Sequence, residues 1–523
     1  MVSVSGSQVI ILLDEPADSA MKPTKGAPQI GALVKMRTAG STVYGLVSGL
    51  SIPVPAKEAG AEELDIVELE LLGEALVDDR QRQGAFERGV SVYPSLGDPV
   101  YASTQEDLRQ VYAKPTVSSV RIGTIHQDQS LPAFVVTDDL LGKHFAILGT
   151  TGSGKSCALA LTLRAILSRH PNGHVLLLDP HNEYSHAFGD RAEVIAPADL
   201  ELPYWLLNFE EIKELMIGGN GDSADAEATI LSDAVITAKR LYLTETGSTE
   251  IVTVDTPVPF RLSDVVRMLD EAMGKLEKPE NSAPFLRLKT RLAALQSDRR
   301  FAFMFPGLQV RDNMASILSR IFRIPVNGKP LTIVDLSGVP SEILDVVVSL
   351  LCRMTFDFAL WSDRAVPMML ACEEAHRYAT LDSRLGFEST KKALSKIAKE
   401  GRKYGVSLCV VSQRPSELAT GMLSQCNTIF ALRMSNQKDQ EYVRGALSDS
   451  ALGLMDSLPS LRNAEAIVVG EGVSVPVRLC FDELPEEHRP RSGTASFSKA
   501  WDKEVDGAGF IDETIGRWRR QQR

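Results

Sequence analysis

The stretch Gly149-Thr-Thr-Gly-Ser-Gly-Lys155-Ser156 decides the fold of this chain. An apolar run, residues 145–148, precedes it, and a helical pattern over residues 157–167 follows it. Glycines in such a loop allow backbone N–H groups to approach phosphate oxygens closely, because no Cβ stands in the way. The helix that follows directs its positive N-terminal end at the same phosphates. A strand, a loop of this composition and a helix therefore predict a phosphate-binding loop, and with it the binding of ATP or GTP.

The loop also indicates which residues hold the nucleotide. Lys155 is expected to reach the outer phosphates, and the Ser156 hydroxyl is expected to bind Mg²⁺. The predicted nucleotide-binding residues are Thr151, Gly152, Ser153, Gly154, Lys155, Ser156 and Cys157.

Length and composition limit the class of protein to which this chain can belong. A chain of 523 residues is too long for one hydrophobic core, so two or three domains are expected. The formal net charge of −12 argues against a surface coated with nucleic acid but permits a local basic groove or pore. Six scattered cysteines without a C-x-x-C pair indicate reduced thiols in a cytoplasmic protein. Neither a signal peptide nor a membrane span is predicted.

Two kinds of pattern divide the chain. Over residues 1–100, short runs rich in Val, Ile and Leu alternate with Pro, Gly and Ser clusters, which favours a small β-barrel. From about residue 117 the pattern is α/β, with mostly helical patterns between about 200 and 315. Predicted strands cover residues 9–13, 32–36, 42–48, 66–72, 145–148, 174–179, 331–336, 366–372 and 406–411, and predicted helices cover 104–113, 155–170, 225–243, 262–276, 284–300 and 341–360. The basic segment 289–300 either faces DNA or is a solvated helix face.

A second chemical centre follows the apolar strand that ends at Cys372. Glu373 and Glu374 come directly after it, and adjacent buried carboxylates are costly unless they are functional or paired. Glu373 would hold the hydration shell of Mg²⁺, and Glu374 would orient and deprotonate the attacking water. Asp is commoner than Glu at the first of these positions, so Glu373 is a variant with one more methylene.

A third centre combines a basic helix with a strand end. The helix begins near Lys391 and is predicted to stop at Gly401. Gln413, just past the next strand, could sense the γ-phosphate. Arg402, predicted on a surface turn, could enter a neighbouring subunit's site as an arginine finger. Alternatively, both are ordinary polar residues at the protein surface.

Another polar segment, Asp179-Pro-His-Asn-Glu-Tyr184, follows a buried-type strand. Open α/β sheets bind ligands at this end of their strands, which makes Asp179, His181 and Glu183 secondary site candidates. Alternatively, Asp179-Pro merely begins a turn.

Five segments of the chain carry a shared pattern. They are Lys143-His-Phe-Ala-Ile-Leu-Gly-Thr-Thr-Gly-Ser-Gly-Lys-Ser156, Asp179-Pro-His-Asn-Glu-Tyr184, Glu373-Glu-Ala-His376, Glu400-Gly-Arg-Lys-Tyr-Gly405 and Ser412-Gln-Arg-Pro415. Taken together, they resemble the HerA family, a branch of the FtsK–HerA ATPases. The likeness spans about residues 5–485, and Asn182 stands where Gly is commoner in the family. Asn tolerates the same left-handed backbone, so a left-handed turn is expected there.

The resemblance implies an architecture and a set of roles. It implies a RecA-like P-loop ATPase core with a helical insertion, preceded by a small N-terminal HAS β-barrel. It also implies a homo-hexameric ring that uses ATP and Mg²⁺ to move double-stranded DNA through its pore. The catalytic residues would be Glu374, Gln413 and Arg402, and the metal would be held by Ser156 and Glu373, partly through water. The implied domains are a barrel at 1–105, a core at 117–205 and 316–485, an insertion at 206–315, and a linker with a brace or tail at 486–523.

The sequence is compatible with more than one partner protein. A NurA-like nuclease in DNA end processing is one possibility, and a sirtuin-type NADase or nuclease effector in an antiviral complex is another. Either would dock on the barrel, and no membrane partner is expected. A third possibility is a nucleotide-gated assembly scaffold that does not translocate DNA. The last residues, 515–523, form either a basic helix anchored by tryptophan or a disordered tail.

Overall fold

The computed structural model describes residues 1–12, 29–51, 66–77, 83–217, 222–275, 282–305, 310–339, 341–381, 388–419, 421–447, 452–491, 497–502 and 507–520. The chain divides into two compact units. The first unit comprises Met1–Gly173, Thr355–Gly386 and Leu394–Pro485, and the second comprises His174–Met354, Phe387–Ala393 and Glu486–Arg523.

Strands and helices alternate along most of the described chain. The strands are β1 (Ser3–Ser5), β2 (Gln8–Leu12), β3 (Leu33–Arg37), β4 (Ser41–Ser51), β5 (Ile66–Val77), β6 (Gln83–Arg88), β7 (Val100–Ala102), β8 (Ser119–Ile125), β9 (Pro132–Val136), β10 (His144–Leu148), β11 (Val175–Asp179), β12 (Ala192–Ile195), β13 (Leu331–Asp335), β14 (Met368–Cys372), β15 (Val406–Ser412), β16 (Cys426–Leu432), β17 (Glu465–Gly470) and β18 (Val477–Phe481). The helices are α1 (Gln105–Val111), α2 (Thr137–Leu141), α3 (Lys155–Arg169), α4 (Phe209–Met216), α5 (Asp222–Thr246), α6 (Leu262–Gly274), α7 (Ala283–Ser297), α8 (Met314–Phe322), α9 (Ser341–Trp361), α10 (Glu388–Tyr404), α11 (Gln437–Gly445), α12 (Leu452–Met455), α13 (Phe497–Trp501) and α14 (Gly507–Arg520).

The N-terminal sheet lies in the first unit and is antiparallel. Its strands follow the order β1-β2-β5-β4-β3-β7, and β6 pairs with β5. Alternate residues such as Val9, Met36 and Val43 form its core. Helix α1 is joined to the sheet by the ion pair between Lys35 Nζ and Asp107 Oδ2, 2.6 Å apart. The pairing of the described strands defines an antiparallel sheet, and its closure into a barrel stays a prediction.

A second sheet in the first unit carries the phosphate-binding loop. Its strands follow the order β14-β15-β10-β16-β17-β18-β8-β9. The members β14, β15, β10 and β16 run parallel, and the pairs from β16 through β9 run antiparallel. Strands β10, β14 and β15 are buried along their whole length, as expected for apolar strands of a parallel sheet.

The second unit contains parallel strands in the order β12-β13-β11 and a group of helices. Helix α5 packs against α6 and α7. In α7 and the turn after it, Lys289 pairs with Asp270, and Arg300 Nη2 lies 2.7 Å from Asp298 Oδ2. These basic side chains therefore have acidic partners within the chain.

The predicted α/β fold is confirmed, and each predicted strand or helix has a counterpart. Residues 13, 276 and 521–523, which end three predicted elements, lie outside the described residues. Among the strands without a predicted counterpart are β1, β8, β9, β12 and β16 to β18. No helix in the described parts of the chain is long and apolar enough to span a membrane.

One helix end differs from its prediction. Helix α10 does not stop at Gly401 but continues to Tyr404, and the left-handed Gly405 (φ +80°) follows it. A Cβ on Gly401 would lie 2.8 Å from the Val406 carbonyl oxygen and 3.3 Å from His144 Cε1. Gly401 is therefore required by close packing, whereas Gly405 supplies the left-handed conformation that ends helices. Arg402 consequently lies in the last helical turn and not on a surface turn.

Candidate nucleotide-binding site

The loop between β10 and α3 has the form of a phosphate cradle. Gly152 and Gly154 have φ of +75° and +105°, which L side chains rarely adopt. Apart from Gly152 and its two chain neighbours, no described residue has an atom within 4 Å of where a Gly152 Cβ would stand, so the loop opens onto free space. The Lys155 side chain is buried at the start of α3, and its Nζ donates to the Thr150 carbonyl at 3.2 Å.

Neighbouring strand ends hold this loop in place. Thr150 donates its N–H and its hydroxyl to the Arg433 carbonyl, just past β16, at 2.9 and 3.0 Å. The Ala464 N–H donates to the Ser153 carbonyl at 3.2 Å, immediately before β17. The ends of the neighbouring strands β16 and β17 therefore support the phosphate loop. The sequence patterns did not indicate this support.

The two carboxylates that follow β14 are both buried. Glu373 is 2% exposed and Glu374 is 7% exposed. Tyr378, which is fully buried, donates its hydroxyl to the Glu373 carbonyl at 2.5 Å. Glu374 has φ 48° and ψ 44°, a left-handed conformation that is uncommon for a residue other than glycine. Such strain is kept where the surroundings determine the backbone, and it clusters at functional sites.

Two contacts connect three parts of the site, which are the segment after β14, the end of β15 and the phosphate loop. Strand β15 lies between β14 and β10, and Leu148 is paired in register with Ser412. Gln413, the next residue, accepts a hydrogen bond from the Thr151 hydroxyl. On the other side, Ser412 Oγ lies 3.2 Å from His376 Nδ1. The structure thus brings Gln413 to the phosphate loop, and its role as a γ-phosphate sensor stays a prediction.

His376 and Ser412 were quoted in the sequence motifs but were assigned no role. His376 Nδ1 also lies 3.3 Å from Glu374 Oε2. The signal that could have found them is their position, since both stand at or just past the carboxyl ends of the neighbouring parallel strands β14 and β15, the second of which pairs with β10. Arg402 is not brought to this site within the chain, since its side chain is exposed in the last turn of α10.

The segment after β11 belongs to the second unit and is organised by Asp179. The buried Asp179 carboxylate accepts the N–H groups of His181, Glu183 and Tyr184 at 3.3, 3.1 and 2.9 Å. Burial raises the pKa of Asp179, and these N–H groups oppose the rise. Asn182 has φ 54°, which confirms the left-handed turn expected there. Asp179 therefore forms the turn itself, and the exposed His181 is the side chain that the turn presents to solvent.

The residues present fit a nucleotide with Mg²⁺. The left-handed glycines leave room at the loop, and a lysine stands at the helix start, where phosphates bind. A serine hydroxyl and a buried carboxylate are oxygen ligands of the kind that Mg²⁺ prefers.

This combination of loop, helix and carboxylate strand defines the chain as a P-loop ATPase. Residues 120–355 match the family model for the central domain of the helicase HerA. Over most of its length the chain is similar to proteins of the HerA family of FtsK–HerA-type ATPases.

Relatives of this family cover most of the chain. The DNA double-strand break repair helicase HerA of Pyrococcus furiosus is 25% identical over 82% of this chain and 78% of that protein. The protein of the same name from Sulfolobus acidocaldarius is 26% identical over 81% of this chain and 80% of that protein. Among solved structures, VirB4 of Thermoanaerobacter pseudethanolicus is 16% identical, with 72% of this chain and 99% of that chain covered and a TM-score of 0.47.

Proposed function

We propose that this chain forms a ring that couples ATP hydrolysis to the movement of double-stranded DNA and works with a partner nuclease in DNA end processing. The observation that carries the proposal is the hydrogen bond from Thr151 to Gln413, which joins the phosphate loop to the end of β15 in a chain similar to the HerA family. The relatives named as DNA double-strand break repair helicases support the DNA substrate.

Each site residue has a chemical task in this proposal. Glu374 orients and deprotonates the water that attacks the γ-phosphate, and Gln413 senses that phosphate. Lys155 stabilises the charge that develops on the phosphoryl oxygens. Arg402, exposed on α10, would supply a further positive charge to the site of the neighbouring subunit.

The metal would be held by Ser156 and Glu373, the latter partly through water. When bound, the ion would supply positive charge that neutralises the phosphate groups. The burial of Glu373 supports a fixed carboxylate there, since a buried charge is costly without a cation.

The proposed domain boundaries are those that the family resemblance implies. Residues 1–105 would close into a HAS-type barrel and dock the nuclease, and 117–205 with 316–485 would form the ATPase core. Residues 206–315 would be the helical insertion, and 486–523 a linker with a brace. We further propose a hexamer that works in the cytoplasm. The exposed Trp501 and Trp518 on α13 and α14 support a brace, since large exposed aromatic side chains favour burial in an assembly.

DNA would be held without sequence preference. In a chain with net charge −12, a few Lys and Arg side chains per subunit would line the pore and contact phosphates. Phosphate contacts release counterions, so DNA affinity should fall steeply as salt rises.

ATP hydrolysis by the purified chain tests the proposal. The assay compares wild type and Glu374→Gln, with and without linear double-stranded DNA, alongside the mass in solution. We expect a ring-sized particle whose ATPase rises with DNA. Glu374→Gln should keep nucleotide binding but lose about 10²–10⁴-fold in kcat, the usual worth of a general base.

Other outcomes point to the other functions. A ring whose ATPase ignores DNA, and which displaces no triplex strand, would favour a nucleotide-gated scaffold, including one that organises an antiviral NADase or nuclease. A monomer without ATPase activity would refute the proposal.

A further inference from the structure

His376 is a largely buried histidine next to the proposed base, and the function proposed above gives it no task. Its side chain is 10% exposed, and Nδ1 lies 3.3 Å from Glu374 Oε2. The same nitrogen lies 3.2 Å from Ser412 Oγ. Both contacts meet at one nitrogen atom. Whether that nitrogen carries a proton therefore decides whether the Glu374 contact attracts or repels.

The hydrogen-bond partners select one tautomer of His376. Ser412 Oγ accepts the Arg414 N–H at 3.0 Å, and a hydroxyl oxygen has a second lone pair with which to accept from Nδ1. An ionised carboxylate only accepts. A bare Nδ1 would direct its lone pair at the Glu374 oxygen, which would be repulsive. The contacts therefore favour Nδ1–H, which donates to Ser412 Oγ and faces Glu374 Oε2 as an electrostatic partner at 3.3 Å.

The imidazole acts here as a neutral donor. Burial is the main cause that lowers the pKa of His376, to about 4, and the nearby Arg414 lowers it further while Glu417 opposes the shift. A neutral ring has a single N–H, so its placement on Nδ1 is set by the acceptors around it.

The contact between His376 and Glu374 is anchored on both sides. On one side, the Arg377 N–H donates to the Glu374 carbonyl at 2.9 Å in the tight turn that holds Glu374 left-handed. On the other side, Ser412 is fully buried at the end of β15, and the Gly149 N–H of the phosphate loop donates to its carbonyl at 3.3 Å. The ring is therefore fixed between the carboxylate and the strand that borders the loop.

We propose that His376 is a positioning residue that fixes the Glu374 carboxylate through Nδ1–H, and that Ser412 fixes the imidazole. The inference rests on the proposed function, in which Glu374 is the base. A carboxylate held in one orientation presents its other oxygen to water, whereas a freely rotating carboxylate presents it only part of the time.

Three substitutions at His376 separate this role from simple packing. In His376→Asn the amide nitrogen can occupy the place of Nδ1, in His376→Gln it reaches the place of Nε2, and His376→Leu removes the donor. We expect kcat for ATP hydrolysis to fall about ten- to hundredfold in the Gln and Leu variants, less than for loss of the base itself. The Asn variant should stay within about threefold of wild type, and KM for ATP should be unchanged in all three.

Two controls accompany the series. His170→Leu changes an exposed histidine and should leave kcat unchanged. In a Glu374→Gln background, His376→Leu should cause no further loss, because the two residues act as one unit. Binding of a fluorescent ATP analogue and the mass in solution check that each variant is folded. Ser412→Ala should lower kcat by less than His376→Leu, and it provides a second measurement if the Leu variant does not fold.

The outcomes separate this proposal from the function on which it rests. If wild type hydrolyses ATP and His376→Leu has full kcat, or the Gln variant matches the Asn variant, the positioning role is wrong and the ATPase proposal stands. If wild type binds ATP but does not hydrolyse it, both proposals fail. A change confined to KM would also overturn the positioning role.

Discussion

The pH dependence of stability should reveal how Lys239 is held inside helix α5. Its Nζ donates to the carbonyl oxygens of Val254 and Thr256, each at 2.6 Å, and lies 5.7 Å from the centroid of the Phe260 ring. The side chain is fully buried. Desolvation, the main cause, lowers the pKa of Lys239 from 10.5 to about 8.

The sign of the effect follows from proton linkage. Between the folded pKa and the unfolded pKa, the unfolded chain binds more protons than the folded chain, so the free energy of unfolding rises with pH. Between about pH 7.5 and 9.5 this rise should be about 2 kcal/mol, since one pKa unit is worth about 1.4 kcal/mol. In Lys239→Met the titrating group is absent, and this rise should disappear.

Urea unfolding followed by tryptophan fluorescence measures the free energy of unfolding at each pH. Trp205 lies in the same unit and is 2% exposed, whereas Trp361, Trp501 and Trp518 are 84%, 80% and 79% exposed. The emission of the buried Trp205 therefore reports the unfolding of this unit. Cysteines and tyrosines also titrate in this pH range, so the quantity to compare is the difference between wild type and variant. The exposed Lys275 of the same unit gives the control Lys275→Met. Equal pH dependence in wild type and Lys239→Met would refute the reasoning.

Two further substitutions test backbone and packing through thermal unfolding. Asn182 is left-handed (φ 54°), so Asn182→Gly should change stability by less than about 1 kcal/mol, and Asn182→Val should cost about 1–3 kcal/mol. Equal Tm values for these two variants would contradict the left-handed turn. Gly401→Ala should gain about 1 kcal/mol of helix propensity but lose more, because its Cβ would lie 2.8 Å from the Val406 carbonyl oxygen. The expected net loss is about 1–2 kcal/mol, and a raised Tm would show that the packing is looser than described.

The sequence alone determined the features that depend on neighbours along the chain. The order of strand, glycine loop and helix predicted the phosphate cradle, because these residues form one continuous local structure. Long apolar runs predicted the buried strands β10, β11 and β14 in the same way. The left-handed turn at Asn182 could also be expected, because it depends on the conformational preference of a single residue.

The tertiary structure decided the features that depend on residues distant in sequence. Thr151 and Gln413 are 262 positions apart, and His376 and Ser412 are 36 apart. They meet only because β15 lies between β14 and β10, an order that differs from the order in the chain. Gly401 was mistaken for a helix stop for the same reason, because the atoms that require a glycine there include those of His144 on β10. Local patterns record conformational preference and burial, whereas strand order and close packing emerge only when the separate segments share one core.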